Sequence, residues 1–204
     1  MSISNYSEDS DNLIKIEITS FLEDFFYSFS LVSFAGFWPI LIFSISDGRL
    51  SDPIFLFILG FCLIGFIICL ICHLNIDDFY LADTQEKELF YHRCLLGYTS
   101  ISKIVDFDDI LAISITSQKR THTRSYSVWW VYRIVLATKM GKVFHISDYG
   151  DGLEECNKQA EHLSSLMGVP YIPGEERRAL YLERDEEGHY HIQFKIPLWN
   201  YLYW

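Results

Sequence analysis

The stretch FFYSFSLVSFAGFWPILIFSISDGRLSDPIFLFILGFCLIGFIICLICH, residues 25–73, decides the architecture of this chain. Its first 22 residues, 25–46, carry no charge, and neither do the 20 residues 53–72. At about 1.5 Å per residue each run forms a helix about 30 Å long, which matches the hydrocarbon core of a bilayer. Because lipid offers the backbone no hydrogen bonds, we predict transmembrane helices over 25–46 and 53–73.

A short polar segment joins the two apolar runs. Residues 47–52 hold two acids, one base and a glycine, which predicts a tight solvated turn within a transmembrane hairpin, 25–74. Two buried helices of a soluble core are the alternative, but soluble helices of this length usually carry a polar stripe. Two spans place both termini on one side of the membrane. Unpaired cysteines in the larger domain favour the cytoplasm for the termini and the soluble domain.

The composition of the chain limits its partners. The net charge of −11 argues against nucleic acid, because phosphate binding needs a basic surface. The five cysteines do not form the pattern of a secreted, disulfide-rich domain. Neither apolar run contains Asp, Glu, Lys or Arg, which disfavours a transporter or a proton path.

An acidic tail, residues 1–24, precedes the first apolar run and is predicted to be partly disordered. Within it, isoleucines at 14, 16 and 18 alternate with Lys15 and Glu17. This period of two predicts a short strand that pairs with the soluble sheet. A helix lying at the membrane surface and running into the first span is an equally good interpretation.

The soluble domain, residues 75–172, is predicted to consist mainly of β-strands. Alternating or β-branched runs bounded by turn signals predict strands over 79–82, 88–96, 101–105, 110–116, 126–138 and 142–146. Apolar residues at helical spacing follow over 153–167, and Gly168 ends that helix. A sheet folded over itself needs its open end covered, and this amphipathic helix is predicted to cap it.

The C-terminal segment, residues 173–204, is predicted to form a second hairpin with strands over 179–183 and 189–196, followed by an aromatic tail. A free tail of this kind would be an aggregation hazard, so we expect it to be buried against the domain, the membrane interface or another protein. Its candidate contact residues are Trp199, Tyr201, Tyr203 and Trp204.

One basic run, KRTHTR at residues 119–124, links two predicted strands. Its cations Lys119, Arg120 and Arg124 are candidate contacts for phosphate head groups or for an acidic partner surface. A solvated loop without a ligand is the alternative interpretation.

The candidate catalytic and metal-binding residues lack confirming partners in the sequence. His189 and His191 share a strand face without a Cys, Asp or Glu at ligand spacing, and Asp106, Asp108 and Asp109 are typical of a solvated loop. The sequence contains no P-loop, G-x-G-x-x-G or G-x-S-x-G motif. We therefore expect no catalytic residues, no metal and no cofactor, and a protein that is not an enzyme.

Two spans followed by VDFDDILAISI, WWVYRIVLATKMGKVFHIS and CNKQAEHLSSLMGVPY resemble small two-span membrane proteins with a bacterial PH-like domain. The layout of residues 25–172 is also similar to the photosystem I assembly protein family, whose late helix ends in a short segment like Val169 and Pro170 here. The resemblance implies a membrane α + β fold, in which a transmembrane helical hairpin precedes a PH-like β-barrel or sandwich with a capping helix. The C-terminal β-hairpin lies outside the resemblance.

The expected function is that of a non-enzymatic, membrane-anchored interaction protein, either an assembly factor or an accessory subunit of a membrane protein complex. The expected partners are membrane lipids and other integral membrane proteins, and an oligomer with itself or with other chains is left open. The alternative is a module that recognises lipid head groups at the membrane surface through residues 119–124.

Overall fold

A computed structural model describes most of the chain. The described ranges are 6–10 (backbone only), 12–18, 21–48, 52–121 and 127–197. They show two apolar helices near the N-terminus, followed by antiparallel sheets and a further helix, so the fold is a mixed α + β fold.

The chain divides into two compact units. The first unit comprises Met1–Ile18, Phe79–His92 and Ile101–Trp204. The second unit comprises Thr19–Asp78 and Arg93–Ser100, and it contains the two apolar helices.

Helices α1, Phe21–Ser46, and α2, Pro53–Leu74, cover the predicted 25–46 and 53–73, but α1 begins within the segment predicted as the acidic tail. Both are long and apolar enough to cross a membrane. The start of α2 follows from its local sequence, because the Asp52 carboxylate accepts a hydrogen bond of 2.9 Å from the backbone amide of Ile54. Pro53, whose fixed φ suits the first helical turn, follows this cap.

Five antiparallel strands form the larger sheet. Their bounds, in spatial order, are β1 Tyr6–Ser10, β2 Leu13–Glu17, β3 Ile76–Asp83, β4 Glu88–Leu95 and β5 Tyr98–Asp106. In β2, Leu13 lies opposite Asp83 and Glu17 lies opposite Phe79. The strand interpretation of this segment is therefore correct, and the surface helix is wrong.

Strand β1 also corrects an expectation. Residues 6–10 pair with β2, with Tyr6 opposite Ile16, although an acidic tail of this composition predicts disorder. The physical reason is that the edge of β2 supplies the hydrogen-bond partners which an isolated polar segment lacks.

Three antiparallel strands form a second sheet, with the order β6–β7–β8. After a 3₁₀ turn at Phe107–Asp109, the strands are β6 Ile110–Thr121, β7 Val128–Thr138 and β8 Val143–His145. Strand β6 extends beyond the predicted 110–116, because β7 offers pairing partners as far as Thr121, opposite Val128. Cross-strand pairing here overrides the weak strand signal of the polar residues 117–121.

Helix α3, Leu153–Met167, contacts β6 and β7, and it has the bounds that the sequence predicts. Gly168 ends it in the left-handed conformation, with φ of 65°. The helix and both sheets contribute to one hydrophobic core, which includes Ile14, Ile16, Ala82, Leu89, Ile113, Ile115, Leu136, Cys156, Ala160 and Leu163.

A C-terminal hairpin of β9, Ala179–Arg184, and β10, Tyr190–Lys195, is confirmed. It contacts the three-stranded sheet away from the core, since the amide of Leu180 donates a hydrogen bond of 3.1 Å to Thr116 Oγ1. The Tyr190 ring lies directly against Gly141 in the turn after β7. Both faces of β6 therefore have covering elements, which explains why Ala112 and Ser114 are fully buried alongside Ile113.

Candidate interaction surfaces

The two helices of the second unit contact each other through small and aromatic side chains. The Ser33 hydroxyl oxygen lies 3.8 Å from the position that a Cβ on Gly65 would occupy. The rings of Phe34 and Phe66 lie with their centroids 5.4 Å apart. These contacts use a narrow part of each helix surface.

The remaining helix surface is apolar and exposed. On α2, the side chains of Phe57 and Phe61 are 74% and 70% exposed. Other exposed apolar side chains on the two helices include Val32, Ile42, Ile45, Ile54, Ile64, Ile68, Ile71 and Leu74. An apolar surface of this extent is typical of contact with lipid or with a protein partner.

The basic run begins at the end of strand β6. Lys119 and Arg120 are exposed there, opposite Trp130 and Trp129 of β7. Arg124 lies in 122–126, outside the described residues, so its position relative to the other two cations stays a prediction.

Two arginines of this region converge on one aromatic ring. The guanidinium carbon of Arg120 lies 4.5 Å from the centroid of the Tyr149 ring, and that of Arg133 lies 4.6 Å from it. Arg133 is half-buried, and its Nε donates a hydrogen bond to the carbonyl oxygen of Ser147, which fixes the side chain. The geometry is that of a double cation–π contact.

The same two arginines differ from several other cations of the described ranges in their partners. Within the described part of the chain, neither Arg120 nor Arg133 has a carboxylate within ion-pair distance. By contrast, Lys103 Nζ lies 2.6 Å from a Glu88 oxygen, and Arg178 lies 2.7 Å from a Glu175 oxygen. In a chain with net charge −11, the Tyr149 cluster of Arg120, Arg133 and Tyr149 is therefore a local positive site.

The charge of Arg133 affects a neighbouring histidine. His145 lies opposite Val135, two residues beyond Arg133 on the same face of β7. Desolvation by the surrounding strands, and next the positive charge of Arg133, lower the pKa of the His145 imidazole, although this side chain still reaches solvent.

The aromatic tail residues Trp199, Tyr201, Tyr203 and Trp204 lie in 198–204, outside the described residues. The hairpin that precedes them has alternating exposure in β10, with His191 and Lys195 exposed. The role of the tail as a contact surface stays a prediction.

The histidines and aspartates considered as metal or acid–base residues lie in exposed turns and strands. His189 Nδ1 lies 3.9 Å from Asp185 and 3.8 Å from Glu187 in the turn between β9 and β10. The Asp106 carboxylate lies 2.7 Å from Lys103 Nζ, and the hydrogen bonds that Lys103 donates to Asp106 and, next, to Glu88 raise the pKa of this lysine. The described ranges contain no group of three His, Cys, Asp or Glu side chains placed to hold a metal ion.

The cysteine in the core of the first unit is shielded. Cys156 is fully buried on α3, and burial raises the pKa of its thiol to about 11, with a smaller contribution from the charge of Glu155. All five cysteines are thiols in this structure, and Cys69 and Cys72 of the C-x-x-C sequence are both buried in the helix pair. A buried thiol with a raised pKa is a packing residue and not a nucleophile.

Sequence reasoning missed Arg133 and Tyr149. Arg133 stands alone within the apolar run VWWVYRIVLAT, and a single interior arginine gives no motif signal. The β6–β7 pairing provides the available clue, since it places Arg120 opposite Trp129 and Thr116 opposite Arg133 on one face. Tyr149 lies in a loop after β8, whose path does not follow from any periodicity.

No protein-family model matches the chain, and no curated protein matches it. Its function has to be inferred from its own surfaces. In the described residues, these are an exposed apolar helix pair and a cationic cluster beside exposed aromatic residues.

Proposed function

We propose that this chain is a non-enzymatic, membrane-anchored interaction protein. Helices α1 and α2 cross the membrane as a hairpin and hold the β-rich unit at its cytoplasmic face. The protein then acts as an assembly factor or an accessory subunit of a membrane protein complex. The observation that supports this most directly is the exposed apolar surface of both helices, because such a surface is stable only when lipid or protein covers it.

The pairing of β2 with β3 supports the two-span arrangement. Strand β2 precedes α1 and strand β3 follows α2, yet Ile14 lies opposite Ala82 and Ile16 lies opposite Tyr80. Segments that pair in one sheet lie on the same side of a membrane. An even number of crossings between them meets that requirement, and a single crossing does not.

The PH-like character of the β-rich unit is part of the same proposal. Two antiparallel sheets and helix α3 enclose one core, and Val169 and Pro170 follow that helix as the resemblance implies. In this proposal the β-rich unit presents contact surfaces and performs no chemistry. In the same proposal, the aromatic tail contacts another integral membrane protein through its rings.

Co-purification from native membranes tests the proposal. Tagged full-length protein extracted in mild detergent should retain stoichiometric membrane-protein partners. A variant with Trp199, Tyr201, Tyr203 and Trp204 all replaced by Ala should lose them, because aromatic side chains dominate interface energies. The readout is quantitative mass spectrometry of the purified material.

Tyr181→Ala is the matched control, since Tyr181 is an exposed aromatic side chain on β9. This variant should keep the partners. If the four-residue variant retained the same partners as the control, the tail would not be the contact surface. If the full-length protein remained in the soluble fraction without detergent, the membrane anchor itself would be wrong.

Recognition of lipid head groups is a second candidate function, and one observation favours it. Val128 and Trp129 are 50% and 40% exposed at the end of the β6–β7 hairpin, beside Lys119 and Arg120. Exposed aromatic and apolar side chains next to cations are typical of surfaces that rest at a membrane interface.

A further inference from the structure

We propose that Arg120 and Arg133, both packed on Tyr149, bind the phosphate group of an anionic lipid while Trp129 rests at the membrane interface. This inference rests on the proposed membrane anchoring and names the ligand class of the second candidate function. It also moves the site from the basic run 119–124 to a cluster that includes β7 and the loop after β8.

The donor groups of the cluster suit a phosphate. A guanidinium presents N–H groups in a planar fork that matches two phosphate oxygens. The Nε of Arg133 donates a hydrogen bond to the Ser147 carbonyl oxygen. Its terminal nitrogens make no hydrogen bond to the protein in the described structure. The terminal nitrogens of Arg120 likewise have no acceptor in the described ranges. Beside the Tyr149 ring, the cluster therefore has terminal N–H donors that the described protein atoms do not use.

The electrostatics of the cluster also favour an anion. Two guanidinium groups that pack on the same ring repel each other, and the repulsion falls when an anion binds both. Within the described ranges, neither arginine has a carboxylate within ion-pair distance. A dianionic phosphate supplies the missing countercharge.

Gln118 adds a further polar group on the same face of β6 as Arg120. Its side-chain oxygen is buried and has no hydrogen-bond partner in the described structure. Rotation of the amide would turn its NH₂ group towards an anion bound at the arginines. After such a rotation, the NH₂ group of Gln118 would donate to the same ligand.

The surroundings of the cluster favour a lipid over a free phosphate ion. Trp129 lies opposite Arg120 across the β6–β7 pair, and Val128 lies at the next position towards the hairpin end. Both side chains are exposed, as is the Tyr149 ring. An indole and an aliphatic side chain gain free energy at the headgroup level of a bilayer, and they gain nothing from a phosphate ion in water.

Binding of a short-chain lipid to the full-length protein in non-ionic detergent micelles tests the site. Titration calorimetry would compare dihexanoylphosphatidic acid, inorganic phosphate and, as a control for micelle partitioning, dihexanoylphosphatidylcholine. We expect specific binding of the phosphatidic acid. The variant R120Q/R133Q should weaken it about tenfold or more, because hydrogen bonds to charged groups are lost.

Arg184→Gln is the matched control. Arg184 also lies near a tyrosine ring, at 6.0 Å from Tyr190, and it has no carboxylate partner in the described structure, but it stands apart from a second arginine. This variant should bind phosphatidic acid as the unaltered protein does. Equal loss in R184Q and in R120Q/R133Q would overturn the assigned site.

The Trp129→Ala variant distinguishes the two phosphate sources. If the ligand is a lipid, W129A should weaken phosphatidic acid several-fold and leave inorganic phosphate unchanged. If inorganic phosphate binds as tightly as phosphatidic acid, and W129A changes neither, the site takes a soluble phosphate and the lipid assignment is overturned.

His145 provides an independent readout by NMR titration of its imidazole. Desolvation is the larger cause of the lowered pKa of His145 and the Arg133 charge the smaller one; an anion bound at Arg133 offsets that charge, so saturating phosphatidic acid should raise this pKa. An unchanged pKa at saturation would overturn the proposal. Arg133→Lys keeps one positive charge should R133Q fail to fold, and it should retain part of the His145 response.

Failure of this site and failure of the membrane anchor give different results. A chain that stays in membranes after alkaline extraction, but binds no phosphatidic acid, keeps its anchor and loses the site. A chain that binds phosphatidic acid in micelles, but is released from membranes by alkali, keeps the site and loses the anchor.

Discussion

The two units of the molecule place the same kinds of side chain in opposite environments. In the second unit, Phe57 and Phe61 project from α2 with most of their surface exposed, whereas in the first unit Ile113 and Leu136 have no exposed surface. The first unit has two sheets and a helix that cover one another. The helix pair has only two elements, which cannot cover each other on all sides. The difference teaches that burial depends on the number of packed layers and not on apolar content.

The largest effect should come from placing a charge on the helix pair. Ile64, 59% exposed near the middle of α2, and Ile101, 62% exposed on β5, form a matched pair of exposed isoleucines. If α2 lies in lipid, Ile64→Arg should cost about 3 kcal/mol of insertion free energy, a shift of about a hundredfold. Ile101→Arg should change stability by no more than about 0.5 kcal/mol, because Ile101 is an exposed side chain and surface substitutions usually have small effects.

The measurement for this pair is the fraction of protein that remains in membranes after alkaline extraction. Thermal unfolding of the extracted protein would show whether either variant disturbs the fold. If Ile64→Arg and Ile101→Arg behaved alike, the two exposed surfaces would face the same solvent, and the distinction between the units would fail.

A smaller effect is expected from two glycines that share a backbone angle but differ in surroundings. Gly97 and Gly141 both have φ of 80°, which disfavours any residue with a Cβ. A Cβ at Gly97 would meet nothing within 4 Å, whereas one at Gly141 would lie 2.4 Å from the Tyr190 ring. We expect Gly97→Ala to cost about 1 kcal/mol and Gly141→Ala roughly 1–3 kcal/mol more.

Denaturant unfolding of both variants would measure that difference. Gly141→Ala combined with Tyr190→Ala should recover most of the extra loss, since the colliding ring is then absent. Equal destabilisation by the two single substitutions would mean that β10 does not pack against this turn.

The smallest effect concerns reactivity and not the fold. Buried Cys156 should react with a maleimide at pH 8 far more slowly than the half-buried Cys94, because the thiolate is the reactive form and burial raises the pKa of Cys156 to about 11. Mass spectrometry of the labelled peptides gives both rates. Comparable labelling of the two thiols in the folded protein would contradict the core position of α3.

The same pKa has a consequence for stability. The unfolded Cys156 thiol ionises near its ordinary pKa of 9.0 and the folded one at about 11, so rising pH between these values favours unfolding. The contribution of the neutral Cys156 thiol to the free energy of unfolding is fully present below pH 9 and is lost towards pH 11. Cys156→Ala should reduce this loss of stability. If the pH dependence of the unfolding free energy were unchanged in the variant, Cys156 would be excluded as its cause.

Much of the fold could be predicted from local sequence. Helix α3 was predictable because apolar spacing and the following Gly168 are both local signals. The two apolar helices were predictable because they lack charge over more than five turns. The end of β6 could not be predicted in this way, because Gln118, Lys119 and Arg120 join the strand through pairing with β7. Strand β1 was missed for the same reason, since its structure depends on β2 and not on its own composition.

The candidate site could be predicted only in part. Lys119 and Arg120 stood out because neighbouring cations in one run are visible in sequence. The Tyr149 cluster could not be recognised in the sequence, because it joins β6, β7 and a loop through contacts that depend on strand register. The role of a single arginine in an apolar strand can be inferred only when its cross-strand neighbours are known.

The ladder between β2 and β3 sets an order of events during synthesis. Residues 13–17 leave the ribosome first, but their pairing partners at 79–83 follow about 60 residues later. At roughly 5–20 residues per second the early strand waits for about 3–12 s, while both apolar helices are made. The five-stranded sheet can therefore close only after the second helix has emerged, so completion of this sheet would report that both apolar helices have been synthesised.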